Sequence, residues 1–275
     1  MTRAFLFPGQ GSQAVGMGKA LAEAFAPARE VFQEVDDALS QKLSRLMWDG
    51  PEGDLTLTEN AQPAIMALSL AIIRVLQREA KLDMTRQVRL VAGHSLGEYS
   101  ALCAVGAFSL ADAARLLKRR GLAMQSAVPI GEGGMTALIG TDIEIAEAVA
   151  REASAAGVCV VANDNAPGQV VLSGAKEAMD RIPGIAKAKG VGRTIALSVS
   201  APFHCPLMQP AADQMAEALA KVTIHPLSAP VISNVTAEET WEPDAVRQLL
   251  VRQVTNRVRW RESMATLRGL GVAQT

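Results

Sequence analysis

Aromatic side chains, cysteines and net charge are all scarce in this sequence of 275 residues. Aromatics make up 4% of the chain although 49% of it is hydrophobic, so any core must be built mainly from aliphatic side chains. Three cysteines with no Cys-x-x-Cys pair argue against a disulfide framework and against a zinc site. A formal net charge of −1 gives no electrostatic reason to expect nucleic acid or a membrane surface as a partner.

Long apolar runs are missing as well. No stretch is long enough to span a bilayer. The apolar residues 4–7 run directly into Pro8-Gly9, which is not the pattern of a signal peptide. The length allows one large domain, or one domain with a smaller companion. We therefore expect a cytoplasmic protein that binds neither membrane nor nucleic acid.

The most informative stretch is Gly-His-Ser-Leu-Gly at residues 93–97, which fits Gly-x-Ser-x-Gly. Residues 87–92 before it have the composition of a short strand, and residues 98–105 after it have a helical pattern. This strand-turn-helix context is what a nucleophile elbow requires. The two glycines let the backbone turn sharply without a Cβ clash, so Ser95 is presented for attack. An ordinary glycine-rich turn is the plainer alternative, and the flanking elements favour the elbow.

A second glycine-rich segment follows the predicted first strand, Ala4–Phe7. Residues 9–14 formally match the dinucleotide pattern Gly-x-Gly-x-x-Ala. A dinucleotide site would need a second strand ending in an acid about 20 residues further on. Residues 17–47 instead have a helical pattern, so we expect no nucleotide cofactor. The loop is better suited to offer backbone N–H groups to an anionic centre.

A buried arginine is predicted on the helix that begins with the capping box at residues 109–112 and runs to about Gln125. Arg120 lies in the middle of its apolar face, among Ala113, Leu116, Leu117 and Met124. A buried guanidinium needs a partner. That partner is either an internal acid or the carboxylate of a ligand, and the pattern favours neither.

The remaining elements predict a mixed α/β protein. The Gly- and Pro-containing residues 50–63 predict a loop before a helix at Ala64–Glu79. After a hinge at 130–134, the order of elements is β–α–β–β–α–β, as in ferredoxin-like folds. The predicted segments are Met135–Gly140, Ile143–Ala156, Val158–Ala162, Gln169–Ser173, Lys176–Lys189 and Arg193–Val199. The polar residues 163–168 between the middle strands predict a turn long enough to reach a neighbouring cleft.

Three histidines are available as a general base. His225 precedes a proline in a polar segment and is predicted at the surface. His94 points away from Ser95 if the elbow forms. His204 follows Ser95 in the chain order of the elbow hydrolases, which makes it the best candidate.

Five motifs in the same order resemble the malonyl-CoA:acyl-carrier-protein transacylase family over essentially the whole chain. They are Phe7-Pro8-Gly9-Gln10-Gly11-Ser12-Gln13, Gly93 to Glu98, Arg120-Gly121 with Met124-Gln125, Asn163 to Gln169, and Phe203-His204. The resemblance implies an α/β-hydrolase-like large domain, residues 1–130 and 198–275, and a ferredoxin-like small subdomain, residues 131–197.

The resemblance also implies the catalytic roles. Ser95 matches the nucleophile that carries the malonyl ester, and His204 matches the base. Gln253 lies in the segment whose backbone carbonyl orients that histidine. The backbone amides of Gln10 and Leu96 match the oxyanion hole.

The same family pattern assigns five residues to the substrate. Arg120 matches the clamp for the malonyl carboxylate, and Phe203 matches the ring that crowds out an α-methyl group. Met124, Asn163 and His94 lie in the family motifs and are implied to line the substrate site. The implied partners are malonyl-CoA and an acyl carrier protein, with no cofactor, no metal and a monomeric chain.

Two alternatives stay open at the level of sequence. The same chemistry could load a polyketide synthase or a malonate decarboxylase, and the same elbow could belong to a serine esterase or thioesterase. Family members also usually continue for some tens of residues through a glycine-rich turn and a final helix, whereas this chain ends at Thr275. The expectation is a truncated chain or one whose end differs.

Overall fold

A computed structural model describes residues 3–199 and 201–275, which form a mixed α/β fold with two four-stranded sheets. The helices are α1 (Lys19–Ala24), α2 (Ala26–Leu39), α3 (Leu43–Asp49), α4 (Glu52–Thr56), α5 (Thr58–Glu79), α6 (Met84–Gln87), α7 (Leu96–Ala104), α8 (Leu110–Ser126), α9 (Ile143–Ala153), α10 (Lys176–Ala188), α11 (Gln209–Ala220), α12 (Pro243–Gln253) and α13 (Trp260–Gly269). The strands are β1 (Ala4–Phe7), β2 (Leu90–Gly93), β3 (Gly133–Ile139), β4 (Cys159–Ala166), β5 (Gln169–Ala175), β6 (Arg193–Ala196), β7 (Val231–Ile232) and β8 (Glu239–Thr240). Within these residues, no helix combines the length and apolarity needed to cross a membrane.

The first sheet has the order β1-β2-β7-β8. Strands β1, β2 and β7 are parallel, and β8 is antiparallel to β7. The carboxyl ends of parallel strands meet at one edge of a sheet, where ligands bind in open α/β folds. The loops that follow β1, β2 and β7 carry Gln10, Ser95 and Asn234, so the topology brings these three residues together.

The predicted first strand is confirmed, but the strand before the elbow is shorter than predicted. The predicted strand covers residues 87–92, whereas Gln87 is the last residue of the one-turn helix α6 and the strand begins only at Leu90. The reason is a local cap, because Asp83 accepts hydrogen bonds from the backbone N–H groups of Thr85 at 3.0 Å and Arg86 at 3.3 Å. The strand β2 that remains is fully buried.

The predicted loop at residues 50–63 is wrong. Helix α4 lies within it, and α5 begins at Thr58, so Pro63 is inside the helix and not at its start. Proline costs a backbone hydrogen bond in such a position. The first two turns of α5 are almost entirely buried, with close packing against Gly121 of α8, and this burial outweighs the loss. The capping box on α8 is confirmed, since the Ser109 side chain accepts from the Asp112 N–H at 3.0 Å.

The second sheet is antiparallel, with the order β4-β5-β3-β6, and the chain passes through it as β3–α9–β4–β5–α10–β6. Its own apolar cluster includes Leu138, Val149, Leu172 and Ile182 from the sheet and both helices. The predicted turn at 163–168 is wrong in extent, because β4 continues to Ala166. Register shifts within β4 mark bulges, which re-aim side chains. Asn163 and Asn165 consequently face the cavity described below while remaining in a strand.

The segment between α12 and α13 joins the two sheets. The Val258 N–H donates to Ala162 O at 2.8 Å, and the Asp164 N–H donates to Val258 O at 2.9 Å. The Arg261 guanidinium donates to both carboxylate oxygens of the buried Asp164, at 2.8–3.0 Å. The small sheet is therefore tied to the segment that follows Gln253.

Candidate active site

The turn between β2 and α7 holds Ser95 at φ 54° and ψ −110°, a region that residues other than glycine rarely adopt. A Cβ on Gly93 would lie 1.9 Å from Gly97 O, and one on Gly97 would lie 2.4 Å from Phe7 O. Both positions therefore need glycine. Such strained backbone persists only where neighbours hold it in place.

Asn234, which follows β7, holds this turn from the side. Its Oδ1 accepts from the Ser95 N–H at 2.7 Å, and its Nδ2 donates to Gly93 O at 2.7 Å. The side chain is fully buried. One amide thus bridges both sides of the strained residue, and no motif in the sequence points to it.

Ser95 and His204 are adjacent, with Ser95 Oγ 2.9 Å from His204 Nε2. The other ring nitrogen, Nδ1, lies 2.8 Å from the backbone oxygen of Gln253. A carbonyl oxygen only accepts, so Nδ1 carries the proton and Nε2 is free to accept from the serine. Gln253 is the last residue of α12, where carbonyls lack an intrahelical partner.

The surroundings keep His204 neutral. Burial lowers the pKa of His204 to about 3, and the positive charge of Arg120 acts in the same direction. A neutral imidazole is the form that accepts a proton.

Arg120 is 1% exposed and reaches the same point from α8. Its Nη2 donates to Ser95 Oγ at 3.1 Å and to Gln253 Oε1 at 2.9 Å, and its Nη1 donates to Gln62 Oε1 at 2.8 Å. Within residues 3–199 and 201–275, no carboxylate forms an ion pair with it. The sequence leaves open whether the partner of Arg120 is an internal acid or the carboxylate of a ligand. The structure favours the ligand, because neutral acceptors bind the guanidinium and its charge stays available to a carboxylate.

Glu98 lies behind these residues and is 2% exposed. Its Oε2 accepts from Gln253 Nε2 at 2.6 Å and from the Asn234 N–H at 3.2 Å. Burial raises the pKa of Glu98 to about 7, against the opposing effect of these hydrogen bonds. The carboxyl group therefore connects the elbow, α12 and the segment after β7.

A cavity of about 350 Å³ opens above this cluster. Of the ten predicted site residues, only Gln253 lies behind the cavity. The other nine line it: Gln10, His94, Ser95, Leu96, Arg120, Met124, Asn163, Phe203 and His204. The structure also adds Gln62 and Asn165 to its walls.

Asn165 and Trp260 hold the ring of His94. Its Nε2 lies 2.9 Å from Asn165 Oδ1, and its ring meets Trp260 edge-on at 5.4 Å between centroids. Burial lowers the pKa of His94. The predicted surface position of His225 is confirmed.

The two predicted oxyanion donors come from the loop after β1 and from the start of α7. Leu96 is the first residue of α7, where N–H groups have no intrahelical acceptor. Gln10 follows Gly9, where a Cβ would lie 2.9 Å from His94 O, so the loop after β1 packs directly on the elbow. The Gln10 side chain donates to Thr58 Oγ1 at 3.3 Å.

Known proteins resemble this chain closely in sequence and in fold. Residues 4–273 match the model of the acyl transferase domain family. The malonyl CoA-acyl carrier protein transacylase of Bacillus subtilis (strain 168) is 44% identical over 270 residues, which are 98% of this chain and 84% of the relative. The protein of the same name from Escherichia coli (strain K12) is 43% identical over 269 residues, which are 98% and 86% of the two chains.

Solved structures also superpose closely on this chain. An acyl-carrier-protein-S-malonyltransferase from Bartonella henselae superposes with a TM-score of 0.97 at 52% identity, covering 99% of this chain and 86% of that one. A type II PKS acyl-carrier protein in complex with its malonyl-transacylase matches with a TM-score of 0.95 at 42% identity, covering 100% and 87%. The chain therefore belongs to the malonyl CoA-acyl carrier protein transacylase family.

Proposed function

We propose that this chain moves a malonyl group from malonyl-CoA to the phosphopantetheine thiol of an acyl carrier protein, through an ester on Ser95. The observation that carries the proposal is the 3.1 Å contact between Arg120 Nη2 and Ser95 Oγ. It places beside a nucleophile a buried positive charge that forms no ion pair with a carboxylate of the described residues. The relatives named malonyl CoA-acyl carrier protein transacylase support the same reaction.

In the first half-reaction, His204 Nε2 takes the proton of Ser95 as Oγ attacks the thioester carbon. The backbone N–H groups of Gln10 and Leu96 stabilise the oxyanion that develops, and one such donor is typically worth about 3 kcal/mol. Collapse of the tetrahedral intermediate expels the CoA sulfur, which receives the proton from His204. The Gln253 carbonyl keeps the ring in the required tautomer.

In the second half-reaction, the carrier's thiol replaces CoA. His204 takes the thiol proton, the sulfur attacks the Ser95 ester, and the serine oxygen leaves with that proton. Each substrate meets the same base in turn, so the order is ping-pong. The proposed steps use side chains of a single chain and no cofactor.

Arg120 selects the acyl group in this proposal. The malonyl carboxylate is one carbon away from the thioester carbonyl, and the guanidinium is within hydrogen-bond distance of the attacking oxygen. An acetyl group would leave the buried charge unpaired, which supports discrimination of up to ~10⁴-fold. Phe203 and Met124 line the same space and limit substituents on the α-carbon.

The same reasoning supports a finer description of the fold. The parallel strands with an elbow after β2 support an α/β-hydrolase-like large domain, residues 1–130 and 198–275. The strand order β4-β5-β3-β6, with two helices in the connections, supports a ferredoxin-like subdomain at residues 131–197. The 2.9 Å contact between His94 Nε2 and Asn165 Oδ1 then crosses the boundary between the two.

One second setting has a specific observation behind it. A malonyl-transacylase solved in complex with its type II PKS acyl-carrier protein is 42% identical to this chain. Loading of a polyketide carrier uses the same site and the same steps. Transfer rates to fatty-acid and polyketide carrier proteins would rank the two.

Intact-protein mass spectrometry after mixing with malonyl-CoA tests the proposal. We expect a malonyl adduct on the wild type, none on Ser95→Ala, and little adduct from acetyl-CoA. An adduct that disappears in buffer without a carrier would favour a thioesterase. Absence of any adduct on the folded protein would overturn the proposed reaction.

A further inference from the structure

The side chain of Gln253 contacts three other parts of the site. Its Oε1 accepts from Arg120 Nη2 at 2.9 Å, while its Nε2 donates to Ser95 O at 3.0 Å and to Glu98 Oε2 at 2.6 Å. The residue is fully buried. These contacts are separate from its backbone carbonyl, which holds His204.

The surroundings fix which way the Gln253 amide faces. Ser95 O and Glu98 Oε2 can both accept at the Nε2 position, whereas Arg120 can only donate at the Oε1 position. Reversing the amide would place donor against donor at Arg120 and oxygen against oxygen at Glu98. Glu98 thus sets the orientation of Gln253, and Gln253 presents an acceptor to Arg120.

We propose that the Gln253 side chain, oriented by Glu98, is a positioning residue that holds Arg120 beside Ser95 and so sets the preference for a carboxylate-bearing acyl group. This inference rests on the proposed function of Arg120. Gln253 acts through the guanidinium and does not itself line the cavity.

The neutrality of the amide is central to this role. A carboxylate in the place of Oε1 would pair with Arg120 permanently and compete with the acyl carboxylate. A purely apolar side chain would leave a buried N–H without an acceptor and release the guanidinium. A glutamine fixes the position of the charge without cancelling it.

The primary variant is Gln253→Met, which keeps the length of the side chain and the backbone carbonyl. Acyl-enzyme formation is measured with malonyl-CoA and with acetyl-CoA, giving KM and the maximal rate for each. We expect the malonyl-over-acetyl preference to fall about ten- to a hundredfold, mostly through KM for malonyl-CoA, the range for one hydrogen bond to a charged group. The matched control is Gln41→Met, which removes a part-buried amide bonded to Asn60 at 3.0 Å, and the preference should not change.

An unchanged preference in Gln253→Met would overturn the inference. If that variant fails to fold, the pair Glu98→Gln with Gln253→Glu replaces it, since the hydrogen bond survives with donor and acceptor exchanged. We expect this pair to lose the preference because a carboxylate then faces Arg120, and retention would equally overturn the inference. Arg120→Ala in the same assay separates the two proposals. If Arg120→Ala keeps the preference, the proposed function fails, and if it alone loses the preference, only the role of Gln253 fails.

Discussion

At the scale of single residues, the Ser95 hydroxyl has two neighbours that affect its reactivity in opposite directions. His204 accepts its proton at 2.9 Å, while Arg120 donates to its oxygen at 3.1 Å and lowers the pKa of His204. Pairing of Arg120 with an acyl carboxylate would weaken both effects of the positive charge. The nucleophile and its base would therefore become more reactive when the proposed substrate is bound.

The sequence predicts most of the groups that react but few of the residues that hold them in place. Ser95 and His204 could be identified because their residue types and chain order are specific. Gln62, beside Pro63, has the pattern of a helix entrance and no more, and Asn234 lies in a segment with no motif. Glu98 was visible in the elbow motif, but nothing in the sequence indicates which side chains it meets across the fold.

Asn234→Ala tests the support of the elbow. The variant removes the acceptor of the Ser95 N–H and the donor to Gly93 O, so the strained turn should relax. We expect the rate of acyl-enzyme formation to fall about ten- to a hundredfold for malonyl-CoA and acetyl-CoA alike. Rapid-quench measurement of both rates checks this.

Ser228→Ala serves as the control for Asn234→Ala, since it removes a side-chain hydrogen bond to Val105 O away from the site. Its rates should match the wild type. A selective loss of malonyl transfer in Asn234→Ala would contradict a role in the elbow, because selectivity belongs to Arg120.

At the scale of elements, helix α8 delivers Arg120 because it packs very closely on the start of α5. A Cβ on Gly121 would lie 2.5 Å from Glu59 Cα. The sequence predicted α8 with its cap and its apolar face, since these signals are local. It did not predict the start of α5, because burial against α8 is a tertiary effect that overrides the signal of Pro63.

Gly121→Ala should therefore separate α5 from α8. We expect a loss of about 1–3 kcal/mol in the free energy of unfolding, the usual cost of overpacking. Displacement of the neighbouring Arg120 should also raise KM for malonyl-CoA. Urea denaturation and steady-state kinetics measure the two effects.

Gly184→Ala is the matched control, because a Cβ on this glycine of α10 meets nothing within 4 Å. There the substitution should stabilise the protein by about 0.5–1 kcal/mol. Equal effects of the two substitutions would refute the close-packing account.

At the scale of the whole molecule, three buried titratable groups of the site link folding to pH. Burial lowers the pKa of His94 and lowers that of His204 to about 3, while it raises the pKa of Glu98 to about 7. Between pH 6.5 and 4.5 the unfolded chain protonates His204 and the folded chain does not, whereas the folded chain protonates Glu98 and the unfolded chain does not, so these two groups offset each other. His94 remains, and burial makes the folded chain take up its proton less readily than the unfolded chain does.

Counting these three groups, the unfolded state thus binds more protons than the folded state over this range. Their joint contribution to stability should fall as the pH falls. Urea midpoints between pH 6.5 and pH 4.5 check this direction. Glu98→Gln should make this dependence steeper, because the variant removes the group that offsets His204. A stability that rises on acidification would contradict the burial of both histidines.

The segment that follows Gln253 has one more consequence. The backbone N–H and C=O of Val258 both form hydrogen bonds with strand β4. Arg261 donates to Asp164 of the same strand from Nε and Nη2. A hinge movement of the small sheet would have to break these contacts, which lie a few residues from the carbonyl that holds His204. These contacts therefore oppose closure of the cavity by a hinge movement. Exclusion of water from the acyl ester then depends on how completely the acyl group and the incoming thiol arm fill the cavity.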